Sequence, residues 1–349
     1  MTEPATPAAP AAAATPAAPA ADFSRPAIYY VDAAGRLRRD LSVSELAEVI
    51  RGGTGELWVD MRLESRQCIA MLDNVFAFHP LAVEDALNPM SRVKVDEYPG
   101  FLFSIIRGVR LKADTEDPYD TETFNISFFL GPHYLVTIHG GQSPAFSVVA
   151  ERVVRDPDLL RRGAERVMHA IMDGAVDAYF PLLDQIDDFI DGLEERVFTR
   201  FEQGAVHDIF EVKRLVLLLR RHLSPQREVF NVLSNRPTPL LAPDVQVYFR
   251  DIYDHSLRIN DSLETYRELL SSTLESYLSQ VSNRLGQVTK GLSVIATVSI
   301  PFVVVSGMWG MNFMHIPLSH EPNAFWYMLA LQLGIAAALL ILLRWRKLI

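Results

Sequence analysis

The sequence predicts an α/β domain that leads through a long stalk helix into two C-terminal membrane-spanning helices. Three observations carry this. Gly291–Trp309 (GLSVIATVSIPFVVVSGMW) and Ala324–Leu343 (AFWYMLALQLGIAAALLILL) hold no charged side chain, and each is long enough to cross a hydrocarbon core as a helix at about 1.5 Å per residue. Before them, apolar residues step by three and four through Leu263, Tyr266, Leu270, Leu274, Tyr277, Val281, Leu285, Val288 and Leu292, with no proline between Tyr248 and Pro301. That is the pattern of one helix with an interhelical seam running straight into the first span. Residues 27–139 have the opposite texture: short β-branched and aromatic runs separated by turn residues.

Taken in order, residues 1–22 are almost entirely Ala, Pro and Thr, cannot bury a core and are expected to be disordered. They lack the basic start and unbroken apolar run of a signal peptide. Residues 23–160 form the predicted α/β domain, with strands at Ile28–Val31, Leu57–Asp60, Phe101–Ile106, Phe124–Phe129 and Tyr134–Ile138 and helical stretches near Ser65–Leu72 and Leu81–Asn88. Residues 161–245 are predicted to be helical. Ala164–Glu202 reads as one long acidic helix (Asp177, Asp184, Asp187, Asp188, Asp191, Glu194, Glu195) kinked at Pro181, and Val206–Asn235 as a basic one (Lys213, Arg214, Arg220, Arg221) that would complement it. The acidic run is either a solvated face or a concentrator of metal ions. The stalk follows at 246–290, then the first span at 291–312, a loop at 313–323, the second span at 324–343 and a basic tail at 344–349.

The loop Phe313–Asn323 holds no Lys or Arg, whereas Arg284 and Lys290 precede the first span and Arg344, Arg346 and Lys347 follow the second. Basic residues mark the cytoplasmic side, so both termini and the large upstream region are expected inside, as in a bacterial inner membrane. The single cysteine, Cys68, excludes an intrachain disulfide. A net charge of −10 suits cation binding and argues against nucleic acid. His79, Glu84 and Asp85 lie close in sequence, but no second His motif, nucleophile elbow or phosphate loop accompanies them, which argues against an enzyme. Two helices cannot enclose a pore. The hairpin is therefore either an anchor for a sensor or one subunit's share of a channel built from several copies. Neither span carries an ionisable relay residue of the kind a proton-coupled carrier needs.

Residues at the loop end separate these readings. Ser306-Gly-Met-Trp-Gly-Met-Asn-Phe313 resembles the signature of the CorA magnesium transporters, whose first span ends in Tyr-Gly-Met-Asn, with Trp309 in place of the tyrosine. His79-Pro-Leu-Ala-Val-Glu-Asp-Ala-Leu-Asn88, Val93-Lys-Val95, Glu97-Tyr98, Tyr248-Phe-Arg-Asp-Ile-Tyr-Asp-His255 and Leu278–Arg284 are similar to further stretches of that family. The resemblance covers about residues 25–349 and implies a funnel-shaped homopentamer that transports Mg²⁺, with Co²⁺ and Ni²⁺ as further cargo. The superfamily includes zinc transporters, so Zn²⁺ is the alternative cargo.

The resemblance further implies a selectivity filter at Gly310, Met311 and Asn312. The chemistry suits it: Mg²⁺ gives up its waters reluctantly, and an uncharged amide can hold the hydrated ion without slowing its release. Reading back from Asn312 at helical spacing gives the pore-lining positions Gly307, Val303, Ile300, Ala296, Leu292 and Thr289, with Leu292 and Ile300 as apolar constrictions. Thr289 and Ile300 stand where better-known members have methionine. Glu321 is the sole loop carboxylate and the candidate attractor of cations, since Ile316-Pro-Leu318 lacks the acid that family members often carry there. Finally, the resemblance assigns Asp85, with Glu84 beside it, and Asp251 to a regulatory Mg²⁺ site shared across a subunit boundary.

Overall fold

The computed structural model describes residues 25–63, 65–111, 121–141, 143–200, 202, 204–311 and 321–346. The expected Ala/Pro tail, Asn312, most of the loop after it and Lys347 lie outside the described residues. The chain divides into two compact units, one of Met1–Asp188 with Val212–Arg267 and one of Phe189–Glu211 with Glu268–Ile349.

The first unit is built on a seven-stranded sheet. Its strands are β1 (Ala27–Val31), β2 (Leu37–Arg38), β3 (Glu56–Arg62), β4 (Lys94–Tyr98), β5 (Phe101–Leu111), β6 (Thr121–Leu130) and β7 (Tyr134–His139). They lie in the order β2-β1-β3-β7-β6-β5-β4. Only β3 and β7 run parallel, with Trp58 opposite Leu135. The other neighbours are antiparallel. Alternation along the strands gives the sheet two apolar faces. Leu57, Val59, Met61, Phe103, Ile105, Phe129 and Val136 form one core. It includes Leu46 of α1 (Val43–Gly52), Leu72 of α2 (Arg66–Asn74) and Ala82, Val83 and Ala86 of α3 (Pro80–Leu87). On the sheet also pack α6 (Ala164–Asp177), which contacts β3, β5, β6 and β7, and α9 (Gln226–Asn235), which contacts β4 and β5. Between β7 and α6 come α4 (Pro144–Arg155) and the short α5 (Asp158–Arg161).

Helix starts follow local chemistry. Ser42 caps α1 through a capping box with Glu45, and Gly53 closes that helix in the left-handed conformation at φ 60°. Proline supplies several other starts, because its missing N–H falls among donors that are unpaired at a helix N-terminus anyway. Pro80 opens α3 and Pro144 opens α4. This corrects the reading of Ala164–Glu202 as one kinked helix. α6 ends at Asp177, and α7 (Phe180–Glu195) begins with Pro181 in its first turn. A π-helical turn at Arg196–Arg200 follows. The basic segment likewise splits into α8 (Ala205–Leu223) and α9, parted at Ser224-Pro225. Arg220 of α8 pairs with Glu264 at 2.6 Å, and Arg196, just after α7, pairs with Asp208 of α8.

Pro243 starts α10 (Pro243–Trp309), a continuous helix that begins ahead of the expected stalk and passes through Pro301 without ending. Its buried residues Val245, Phe249, Ile252, Ile259, Leu263, Tyr266, Leu270 and Tyr277 continue the three-and-four spacing. α11 (Ala324–Trp345) completes the chain. In the second unit, α10 and α11 are each long and apolar enough to cross a membrane, and Gln332 Nε2 donates to Ser306 Oγ at 2.9 Å between them. A side-chain hydrogen bond of that kind ties spans together where apolar burial gives no preference for helix over lipid.

Candidate functional site

The membrane-spanning part of α10 is exposed over most of its surface and partly covered at a few positions. Val294, Val298, Pro301, Val305 and Trp309 are partly covered. Leu292, Ala296, Ile300, Val303 and Gly307 are exposed, Val303 to 71%. At about 100° per residue the two sets lie on opposite sides of the helix. The positions expected to line a pore are exposed on the single chain, as are Ile295, Val304 and Met308 on other sides of the helix. Thr289 lies on the same side as the expected pore positions and is exposed. Val281, Leu285, Val288 and Leu292 extend an exposed apolar stripe below it.

Gly310 follows the helix in a turn, its N–H donating to Ser306 O at 2.9 Å. It does not take the left-handed conformation. Space is the constraint: a Cβ there would meet the Ser306 carbonyl at 3.2 Å. Met311 is exposed, and so is Glu321, whose carbonyl accepts from Ala324 N ahead of α11.

In the first unit, α3 and β4 place acids around one lysine. His79 caps α3, its Nδ1 accepting from Leu81 N at 3.3 Å, and its ring stacks on Tyr98. That is a structural role and removes His79 from any ligand set with Glu84 and Asp85. Glu84, Asp85, Lys94, Asp96 and Glu97 border a cleft of about 610 Å³. Lys94 Nζ lies 2.6 Å from Asp85 Oδ2 and 2.7 Å from Asp96 Oδ2. Partial burial disfavours the ammonium, but these two hydrogen bonds hold its pKa above the ordinary lysine value. Ser91 donates to Asp85 Oδ1 at 3.2 Å.

The loop carrying Ser91 is fixed from the sheet. Buried Arg107 donates to Pro89 O and Ser91 O at 3.3 and 3.4 Å, and Asn125 Nδ2 reaches Ser91 O at 3.1 Å. Burial lowers the pKa of Arg107. Its own backbone is gripped in turn, N–H to Gln226 Oε1 and carbonyl from Tyr179 OH. Arg107→Met is expected to keep the fold but destabilise the domain by about 1–3 kcal/mol, since the Pro89 and Ser91 carbonyls lose a charged donor and keep only Asn125 Nδ2. A lowered melting temperature of the purified chain checks it.

A second cluster joins α6 to α10. Asp173, Asp251 and His255 each offer a ligand atom within 4.8 Å of the others. Asp251 and His255 stand one turn apart on α10, which puts both on one face; Nε2 to Oδ2 is 3.8 Å. Asp251 is largely exposed, while Asp173 and His255 are half-buried. His255 Nδ1 is buried without a hydrogen bond of sound geometry, although Asp177 Oδ1 lies 3.4 Å away. Burial, then the Asp177 charge, pushes the Asp173 carboxyl up. Burial pushes the neighbouring His169 down. Carboxylates crowded together beside an imidazole with a spare nitrogen form a donor set that fits a divalent cation.

Over residues 54–346 the sequence matches the family model described as CorA-like Mg²⁺ transporter protein. The chain belongs to that family. The chain is 32% identical over 285 residues to the cobalt/magnesium transport protein CorA of Thermotoga maritima, covering 80% of each. Its fold matches the complete structure of the CorA magnesium transporter from Methanocaldococcus jannaschii with a TM-score of 0.78, at 20% identity and with 91% and 97% of the two chains covered. The ZntB cytoplasmic domain from Vibrio parahaemolyticus shares the fold more distantly, with a TM-score of 0.55, 14% identity and coverage of 65% and 88%. This CorA-like chain is a membrane protein with an α/β domain, a long helix and two C-terminal spans.

Within one CorA-like chain, Asp85 and Asp251 are not brought together: Asp85 faces Lys94 and Ser91, and Asp251 faces Asp173 and His255. Glu84 is exposed beside Asp85. Asp173 and His255 were not singled out from sequence. The spacing of Asp251 and His255 was a legible signal, but nothing local tied Asp173 to them.

Proposed function

We propose that this chain assembles as a homopentamer and conducts divalent cations across the cytoplasmic membrane, hydrated Mg²⁺ first and Co²⁺ and Ni²⁺ with it. The family match and the names of the relatives support this cargo over Zn²⁺. Both termini lie in the cytoplasm. The observation that carries the channel reading is the spacing of exposed positions on α10. Leu292, Ala296, Ile300, Val303 and Gly307 recur at helical spacing as exposed, charge-free positions on one side of the span, suited to face an axis shared by copies of the chain. Gly310, Met311 and Asn312 form the outer filter, Thr289 opens the inner end and Glu321 raises local cation concentration at the mouth.

Regulation is assigned to the cytoplasmic carboxylates. Asp251, with Asp173 on its own chain and with Asp85 and Glu84 presented by a neighbouring copy, would hold a regulatory Mg²⁺ through carboxylate oxygens, with His255 beside them. Bound metal cancels repulsion between apposed acids and keeps subunits together; its loss lets them separate. Because α10 is one unbroken helix, it carries both Asp251 and the pore wall.

The test is uptake into liposomes holding the purified chain, with Mg²⁺, Co²⁺ and Zn²⁺ compared under an imposed potential, with and without a pH gradient. Potential-driven Mg²⁺ entry indifferent to pH is expected. Preferential pH-coupled Zn²⁺ entry would replace the magnesium reading, and absence of any flux would leave a membrane-anchored sensor.

A further inference from the structure

We infer that Lys94 is a tethered competitor for the regulatory cation, holding the Asp85 carboxylate when no metal is there and setting the concentration at which a divalent ion takes it. This rests on the reading that Asp85 contributes to the regulatory site. Glu84, Asp85, Asp96 and Glu97 place four carboxylates around the cleft, and Lys94 supplies the ammonium among them. Asp85 has a partner on each oxygen, and the two differ in kind. Ser91 on Oδ1 is buried and belongs to the loop fixed by Arg107 and Asn125. That contact positions the carboxylate and does not oppose a metal. Lys94 on Oδ2 is a charge of the same sign as the metal and must yield.

The geometry makes yielding cheap. Lys94 and Asp96 are two residues apart on β4 and so share a strand face, and Asp96 Oδ2 is already 2.7 Å from Nζ. When a divalent ion takes Asp85, the ammonium retains Asp96 and its place 5.5 Å from the ring centre of the fully buried Phe103. The exchange swaps one cation for another on Asp85 without stranding either charge. Until it occurs, the ammonium offsets part of the acidic charge in the cleft of its own chain, and the repulsion across the subunit boundary is left for the metal to cancel. Affinity is thereby kept low, as suits a site that answers to an abundant ion.

Lys94→Met keeps an unbranched apolar side chain at this position and removes the charge, while Lys94→Arg keeps the charge. The readout is the rise in melting temperature of the full chain in detergent as Mg²⁺ is titrated, which tracks binding to the folded form and does not depend on transport. Removing a unit charge adjacent to a divalent ion at a half-exposed site is expected to lower the Mg²⁺ midpoint about fivefold in Lys94→Met, with Lys94→Arg at or above the unmodified value. An unchanged or higher midpoint in Lys94→Met, where Asp85→Asn abolishes the Mg²⁺ response, overturns the competitor and leaves the regulatory site standing. An unchanged response in Asp85→Asn removes Asp85 from the site and the competitor with it. If Lys94→Met does not fold, Lys94→Gln carries the same comparison.

Discussion

Asn312→Ala is expected to reduce divalent uptake by on the order of a hundredfold or more while leaving the oligomer intact. The size follows from symmetry. One hydrogen bond to a hydrated ion is worth about 0.5–1.5 kcal/mol, and in the proposed pentamer the substitution removes it from every subunit at once. The summed loss of several kcal/mol corresponds to two or more decades, at about 1.4 kcal/mol for each. The side chain carries no charge, so its removal does not alter the field along the spans, and the exposed wall of Leu292, Ile300 and Val303 is untouched. Uptake into liposomes measures the first part and the size of the detergent-solubilised particle the second. Wild-type uptake would take Asn312 out of the filter. Gly310→Ala is a graded companion: its Cβ would press on the Ser306 carbonyl at 3.2 Å, so a smaller loss is expected.

What the sequence made legible follows from which forces act locally. The two spans declare themselves because a bilayer demands an unbroken apolar run. The stalk was legible because its seam is periodic, and the five expected strands because their alternation is dense in β-branched and aromatic residues. β4 was missed as a strand: Lys94-Val-Asp-Glu-Tyr98 has little apolar alternation, since its outward side chains hold charge around Asp85. The division of Ala164–Glu202 depends on a tertiary demand. The chain leaves α6 so that Tyr179 can sink fully into the core and reach the Arg107 carbonyl, and Pro181 then serves as a helix start. Of the residues proposed to hold the regulatory ion, Asp251 is legible in a motif. Asp173 could come only from the fold, because the packing of α6 beside α10 joins residues that are distant in sequence.

Asp251→Ala is expected to leave transport intact and raise the Mg²⁺ concentration for half-closure about tenfold or more, because divalent affinity depends strongly on the number of charged oxygen ligands. Asp251 is the most exposed member of its cluster, at 68% for the side chain, so truncation leaves little cavity and little cost in stability. Its loss strips the exposed carboxylate from Asp173 and His255 and, in the proposed assembly, the partner from Asp85. Alanine is more informative here than lysine. A lysine ammonium would stand where a cation is wanted, neutralise Asp173 and hold neighbouring acids together in place of the metal, much as Lys94 does for Asp85 on the same chain. The two replacements should therefore diverge, alanine giving a channel that stays open as Mg²⁺ rises and lysine one whose closure depends less on Mg²⁺ altogether. Mg²⁺-dependent inhibition of uptake, measured for both, decides it. An unshifted midpoint in Asp251→Ala would show that the carboxylate cluster on α6 and α10 does not govern closure.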